Sequence, residues 1–432
     1  LAGSVSITEK LNIEGSASLS FGDIELVNNG ELDTWMNDVW NNRSIKIFVG
    51  DVTWIRSDFR QIFDGTVNRL DSRARNTLNI ALRDKLERLN TAMSDTRLGG
   101  TTDNKDRLIP LCFGEVHNIE PLLINPSTLT YQVHNGAIES IIEVRDNGVP
   151  VTFTPNLAAG TFTLAATPAG VITASVQGDK TGGTYRNTIG ALIPFIVTTY
   201  GKSIDRFTTS DIDTSQISTF SAANPQPVGL YLTERTNVLE VCAMLASSVG
   251  AQVVMSRTGL LRILKISLSS FGTPTVVTAD NMIMNSLHPS ERLDVRAAVK
   301  IAYAKNWTVQ TNLQTGIPEA HKNLFEQEWL STTQTDSTVA TLYRLNTEPE
   351  QEDTLLLTTT DASTEATRRL NIWKVQRNIW TYDGTPDLML ETLGNYQTLY
   401  NSRFGMQYGI TGQIVGISQD WASAKVTFDI LA

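Results

Sequence analysis

Cysteine is nearly missing from this 432-residue chain, which holds only Cys112 and Cys242. The two lie far apart and form no Cys-x-x-Cys, so neither a disulfide framework nor a thiolate metal site is indicated. Cys242 reads as a small apolar residue on the buried face of a helix. Histidine is also scarce, with His117, His134, His288 and His321 as the four examples. None is spaced as His-x-His or His-Glu-x-x-His, so each reads as a structural histidine rather than a ligand or base. The chain has no Gly-x-Ser-x-Gly elbow, no phosphate-binding loop and no Gly-x-Gly-x-x-Gly. No uncharged apolar run reaches the roughly 18 residues that a spanning helix needs. The first fifteen residues lack the basic and apolar regions of a secretory signal, so none is expected. Positive charge is in deficit, with 35 Lys and Arg against 45 Asp and Glu, a formal net charge of -10. Gripping a duplex by counterion release needs clustered basic residues. The basic groups here are short (Arg69, Arg73 and Arg75; Arg368 and Arg369) and read as solvated faces.

What the chain does have is β patterning, stated almost identically near both ends. In residues 63–82, Val67 and Leu70 precede a polar turn, and Leu78, Ile80 and Leu82 alternate after it. This is the period-two pattern of a half-buried antiparallel hairpin. In residues 409–430, Gly412, Ile414 and Ile417 precede a polar turn at 418–423, and Val426, Phe428 and Ile430 alternate after it. Counted from Gly65 and Gly412, the apolar positions match before the turn and fall one residue later after it. The two stretches read as an internal repeat of one hairpin.

Between them the chain divides into further modules. Residues 16–22 and 44–49 read as strands, and Leu32, Trp35, Met36 and Val39 recur at helical spacing. After a polar, Gly-rich stretch at 99–107, residues 106–183 read as a small all-β module with an Asp146-Asn147-Gly148 hairpin turn. A helix over 189–200 follows, then a helix capped by Thr236 with Val238, Leu239, Cys242, Leu245, Ala246 and Val249 on one face. Gly250 suits its left-handed end, and a strand, a turn at Gly259 and a strand come next. β patterning returns from Leu293. A last helix, capped by Asp361 or Ser363, carries Ala366, Leu370, Trp373 and Arg377, with Glu365, Arg368 and Arg369 placed to suit its dipole.

No residue is assigned a catalytic, cofactor-binding or metal-binding role. Glu115 and Glu120 flank His117, but with 45 acidic residues such pairs arise by composition alone. The eight tryptophans, Trp35, Trp40, Trp54, Trp307, Trp329, Trp373, Trp380 and Trp421, read mostly as core or interface residues rather than sugar-stacking platforms.

The order of these segments resembles the tail hub proteins of long-tailed bacteriophages. The resemblance is carried by SLSFGDIELVNNGELDTW, FDGTVNRL, LIPLCFGEVHNIEPLLI, YQVHNGAIESIIEVRDNGVPVTF and VGLYLTERTNVLEVCAMLASSVGAQVVMSRTGLLRI. It implies a mainly β, multidomain chain with two tail-tube-like β-barrels, each with one packed helix, plus a small β module and a helix-plus-hairpin module. The expected bounds are 1–100, 101–185, 186–290 and 291–432. The first helix would come from 32–39 and the second from 361–377. The resemblance further implies a homotrimer at the distal end of a virion tail, assembled in the host cytoplasm. There it would adapt a sixfold tube to threefold symmetry. Implied partners are a tube ring or distal tail protein above, a tape-measure protein in the lumen, and fibre or receptor-binding proteins below. DNA would pass without specific binding, through a lumen that is polar and not basic. Hub proteins that continue into a receptor-binding region do so beyond the second hairpin, so that region is expected on another polypeptide or absent. The rival readings are a glycan- or receptor-binding tail-tip protein and a tail-associated cell-wall hydrolase.

Overall fold

A computed structural model describes residues 2–13 and 20–432. The two patterned stretches do form hairpins, and each sits in a unit with the same five strands, to which the second adds Thr275–Val277, parallel to its edge strand. The first unit contains β1 (Ala2–Lys10), β2 (Phe21–Val27), β3 (Ser44–Val49), β4 (Arg60–Asp71) and β5 (Thr77–Arg83), in the sheet order β1-β2-β5-β4-β3. The second contains β6 (His288–Arg292), β7 (Asn378–Gly384), β8 (Tyr396–Leu399), β9 (Ile410–Asp420) and β10 (Lys425–Leu431). Its sheet order is β6-β7-β10-β9-β8. The connectivity is therefore the same in both, except that a long insertion separates β6 from β7.

The match extends to individual pairs. In the first hairpin Val67 pairs with Leu82 and Leu70 with Ile80, with a bulge between Val67 and Arg69. In the second, Ile414 pairs with Ile430 and Ile417 with Phe428, with a bulge between Ile414 and Gly416. A bulge bends and twists the strand that carries it, so both hairpins are bent at one register position. The flanking strands agree as well. Ile24 lies beside Ile80 and Tyr382 beside Phe428, while Ile45 lies beside Gly65 and Gln397 beside Gly412. Gly65 and Gly412 are required by the same contact. A Cβ at Gly65 would stand 2.4 Å from the Arg83 carbonyl oxygen, and one at Gly412 would stand 2.5 Å from that of Leu431.

Each hairpin buries its apolar face. Val67, Ile80 and Leu82 pack with Ile7, Ile24 and Phe63, whereas Ile414, Ile417, Phe428 and Ile430 pack with Trp380, Tyr382 and Leu399. Between the units lies a small β module. Its Ile138–Asp146 strand turns at Asn147 and Gly148, both at positive φ, into Val149–Pro150. The largest core is formed by helices Ile189–Thr199, Val238–Ser247 and Thr359–Trp373 with the hairpin Ala251–Met255/Leu261–Lys265 and the strand Ala298–Tyr303. Leu245 and Cys242 are fully buried in it.

Several expectations are corrected. The chain is mainly β, but among the described residues no sheet closes into a barrel. The helix expected over 32–39 is a single 3-10 segment, Asp33–Asn37, with no buried residue, because Trp35 alone of its apolar residues turns toward the sheet. Helix Thr359–Trp373 packs mainly on the separate sheet holding Ala298–Tyr303 and Leu330–Thr335, and only its last turn, through Ile372 and Trp373, reaches the cluster holding Val415 and Leu431 of the second hairpin. Thr358, not Asp361 or Ser363, caps it, accepting from the Asp361 N–H. Glu365 is not a dipole residue but is buried, bound by Arg368 at 2.6 and 2.8 Å and by Arg369 at 2.8 Å. Burial opposes its charge, yet the Arg368 hydrogen bonds and the charges of Arg368, Lys265 and Arg369 hold the carboxyl down at about 2. Asn237 rather than Thr236 precedes helix Val238–Ser247, without a side-chain cap. Of the strand expected over 16–22, residues 16–19 lie outside the described residues, and β2 begins at Phe21.

Candidate assembly surface

The two units meet edge to edge. β1 pairs antiparallel with β9, Ser6 opposite Asp420 through Lys10 opposite Gly416. The Trp421 N–H donates to the Val5 carbonyl at 2.9 Å, and the Leu11 N–H to that of Val415 at 2.7 Å. Odd-numbered β1 residues therefore turn their backbone groups toward β9, since antiparallel strands alternate in this way. One sheet thus runs through both units.

A wedge from the central module holds this seam. The turn joining Ala251–Met255 to Leu261–Lys265 enters between the units and brings Arg257 with it. The Arg257 N–H donates to Glu9 at 3.0 Å, and its guanidinium donates to the carbonyls of Glu391 and Leu390 at 2.6 and 3.1 Å. On the side of the first unit, the Asp64 N–H donates to the Arg257 carbonyl at 2.8 Å. Glu9 is 3% exposed, and burial raises its pKa against the opposing charge of Arg257. The Arg257 backbone makes the Glu9 contact, while its side chain ties the wedge to the Glu391 and Leu390 carbonyls through charged hydrogen bonds.

The sheet face away from the hairpin cores is polar around the seam and toward the hairpin turns, but it also exposes Phe21 and Val27, and at its other end it holds Ile379, Val415 and Leu431, buried in a separate apolar cluster. It carries Asp23, Glu25, Arg69, Asp71 and Arg73 on one side of the seam and Thr381, Asp383, Thr427 and Asp429 on the other, with Ser6, Thr8 and Ser418 at the seam itself. Arg73 grips Asp23 at 3.0 and 3.1 Å, Thr427 donates to Asp383 and Thr381 to Asp429, both at 2.6 Å. Arg69 and Arg73 are thus paired with carboxylates and do not form a free basic stripe. A second shared feature is apolar. The β3–β4 connection exposes Val52, Trp54 and Ile55, and its counterpart between β8 and β9 exposes Phe404 and Tyr408.

His134 and both cysteines are buried, whereas His117, His288 and His321 are exposed. His134 Nδ1 accepts from the Cys112 N–H at 2.9 Å, so the proton sits on Nε2 and points to Asp179 at 3.1 Å. Asp179 also accepts from the Thr181 and Tyr200 hydroxyls at 2.9 and 3.2 Å. Burial pushes the Cys112 thiol far up and the Cys242 thiol up to about 12, leaving both as thiols. Among the described residues no group of three or more His, Cys, Asp or Glu could hold a metal. No helix there is long and apolar enough to cross a membrane. The assembly features were not read from the sequence. The signal that pointed to them was the repeat, since a repeated unit has repeated edges.

No protein-family model and no curated sequence matches the chain. Among solved structures it is similar to a 43 kDa tail protein of prophage MuSo2 from Shewanella oneidensis, at 12% identity and a TM-score of 0.45, over 100% of this chain and 96% of that one. It is similar to a tail protein from Neisseria meningitidis MC58 at 10% identity and 0.43, over 100% and 91%. A chain from the virion of a native gene transfer agent particle is similar at 12% identity and 0.48, over 80% and 90%.

Proposed function

We propose that this chain is a structural virion protein, the hub ring of a phage-type tail, and that it performs no catalysis. The observation that carries the reading is the repeat, two units with one connectivity, one bulge position and one pairing register, joined in a single sheet. A ring of such chains presents twice as many equivalent wall units as it has subunits. Three copies present six, which matches a sixfold tube on one side and threefold partners on the other. The polar face shared by both units is suited to line the channel, because its arginines are already paired and offer no run of free positive charge to phosphates. In this reading there are two wall units and two modules outside them, with β6 straddling the expected bound at 290 and the segment around Ala298–Tyr303 joining the central module. The exposed Trp54, Ile55, Phe404 and Tyr408 lie at equivalent connections and would meet the tube ring or distal tail protein. A tape-measure protein would occupy the lumen before DNA passes, and fibre or receptor-binding proteins would attach below.

Mass photometry and electron-microscopy class averages of the purified chain test the proposal. The expected result is a trimer whose wall shows six similar lobes around an open centre. A chain that stays monomeric at every concentration, and is also monomeric within an isolated tail, would overturn it.

A further inference from the structure

The internal seam uses one edge from each unit, and the repeat leaves the same two edges unused elsewhere. In the second unit, the outer edge of β9 is covered in two parts. As far as Ile414 it bonds to residues 394–399, with the Gly394 N–H donating to Ile414 at 2.9 Å and the Ile414 N–H to Asn395 at 2.8 Å. Beyond the bulge it is covered by β1. In the first unit, β4 is covered to the matching place. The Asn42 N–H donates to Val67 at 2.8 Å and the Val67 N–H donates to Arg43 at 2.9 Å. Beyond the bulge, at Arg69–Ser72, no strand among the described residues pairs with the outer edge. The buried state of the side chains follows suit. Ile417 is 2% exposed under the seam, while its counterpart Leu70 is only half-buried. At the far end of the sheet, β6 is the counterpart of β1, and all five of its residues are exposed.

We propose that a second copy of this chain covers these edges, with β6 of one copy adding to the 69–72 edge of β4 in the next. The contact rests on the ring reading above and specifies how its copies join. Its register follows the seam with one difference, a bulge at Ser290 that β1 lacks at this position. Ile7 and Pro289 occupy one position, beside Gly22 and Trp380, and Thr8 and, past the bulge, Glu291 the next, beside Phe21 and Ile379. Ile7 opposite Gln419 then becomes Pro289 opposite Ser72. Thr8 opposite Ser418 becomes Glu291 opposite Asp71, a like-charge pair that weakens the contact, while the diagonal Arg69 and Arg73 offset it. The two surfaces differ, so the contact runs head to tail and closes only as a ring. It also lacks one bond present in the seam. Ile7 turns its N–H toward β9, and Pro289 has none to offer. Proline on an exposed edge restrains indiscriminate pairing. The copy-to-copy contact is therefore weaker than the internal seam.

The test mixes two full-length variants, Asp71→Cys and Glu291→Cys, and oxidises them. The native cysteines are buried and take no part. The expected product on a non-reducing gel is a disulfide-linked pair formed only in the mixture. The double variant Thr8→Cys/Ser418→Cys, whose native hydroxyls lie 3.1 Å apart across the seam, should close within one chain and shows that this pair geometry can oxidise. Sedimentation of Pro289→Ile gives an independent readout, because restoring one hydrogen bond should tighten self-association roughly two- to tenfold. Native oligomers with no mixed disulfide and no tightening in Pro289→Ile would overturn this contact while leaving the ring reading in place. Monomers throughout, with the seam control closed, would overturn both.

Discussion

The two wall units share connectivity and register yet differ in how far each is sealed. The second is covered on its β9 edge by β1, and its hairpin residues Ile414, Ile417, Phe428 and Ile430 are at most 2% exposed. The first has the same strands and bulge, but its corresponding edge is open and Leu70 is half-buried. The same local pattern thus gives a complete core in one place and an incomplete one in the other. What differs is the neighbour on one strand edge. Edge coverage, rather than the hairpin sequence, decides whether a unit is finished within its own chain, because an uncovered edge leaves backbone groups without partners.

The wedge at the seam is where this contrast breaks most easily. Arg257→Ala should cost about 3–5 kcal/mol by chemical denaturation, since it removes two charged hydrogen bonds, to the Glu391 and Leu390 carbonyls, worth about 1.5–3 kcal/mol each. Adding Glu9→Gln should restore part of the loss, because it removes a buried carboxyl that no longer has the opposing charge of Arg257. If Arg257→Ala costs nothing, the wedge does not hold the units together. Next in size is the pair at the bulge. Ile417→Ala should cost about 2–5 kcal/mol, the range for a sealed aliphatic residue. Leu70→Ala should cost less in the free chain and should weaken assembly as well. Equal losses in monomer and assembly would mean that nothing covers Leu70. A smaller effect sharpens the equivalence itself. Gly65→Ala and Gly412→Ala each push a methyl group against a carbonyl oxygen, and each should cost about 1–3 kcal/mol. A large loss at one and none at the other would show that the shared register does not impose a shared constraint.

The hairpins were legible in the sequence because alternation with a polar turn is local information. Leu78, Ile80 and Leu82, and then Val426, Phe428 and Ile430, carry it without help from distant residues. The rest of each unit was not legible, because β2 and β7 reach their partners across long separations that no local period reports. The helix over 359–373 shows a second limit. Ala366 and Leu370 reveal that it has an apolar face, but not which sheet receives that face. Glu365 shows a third. A carboxylate followed by two arginines on a helix reads equally well as a dipole pattern, and only the approach of Lys265 from another element makes it a buried ion cluster. The assembly edges were the least legible feature. An open N–H or C=O is a property of register and has no side-chain signature.

A pH-dependent effect tests the last register position of the units, where they differ in chemistry. The Asp84 N–H donates to the Ser20 carbonyl at 3.2 Å, and at the corresponding place the Ala432 N–H donates to Asn378 at 3.1 Å. Only the first unit therefore carries a carboxyl there, and it is 2% exposed. Burial raises its pKa to about 7, against the lowering effect of hydrogen bonds from the N–H groups of Ser20 and Leu86. The folded pKa lies above the ordinary 3.8, so between pH 4 and pH 7 the folded chain holds a proton that the unfolded chain has released. Stability from this group is then fully present below about pH 4 and is lost as pH rises toward 7. Asp84→Asn removes the titration while keeping the size and one acceptor. Denaturation midpoints for the native chain and the variant, measured at pH 4.5 and 7.5, should therefore converge or cross, with the native chain gaining relative to the variant at the lower pH. A constant difference between the two would mean that Asp84 is charged throughout, and that the first unit ends with the same pH-indifferent closure as the second.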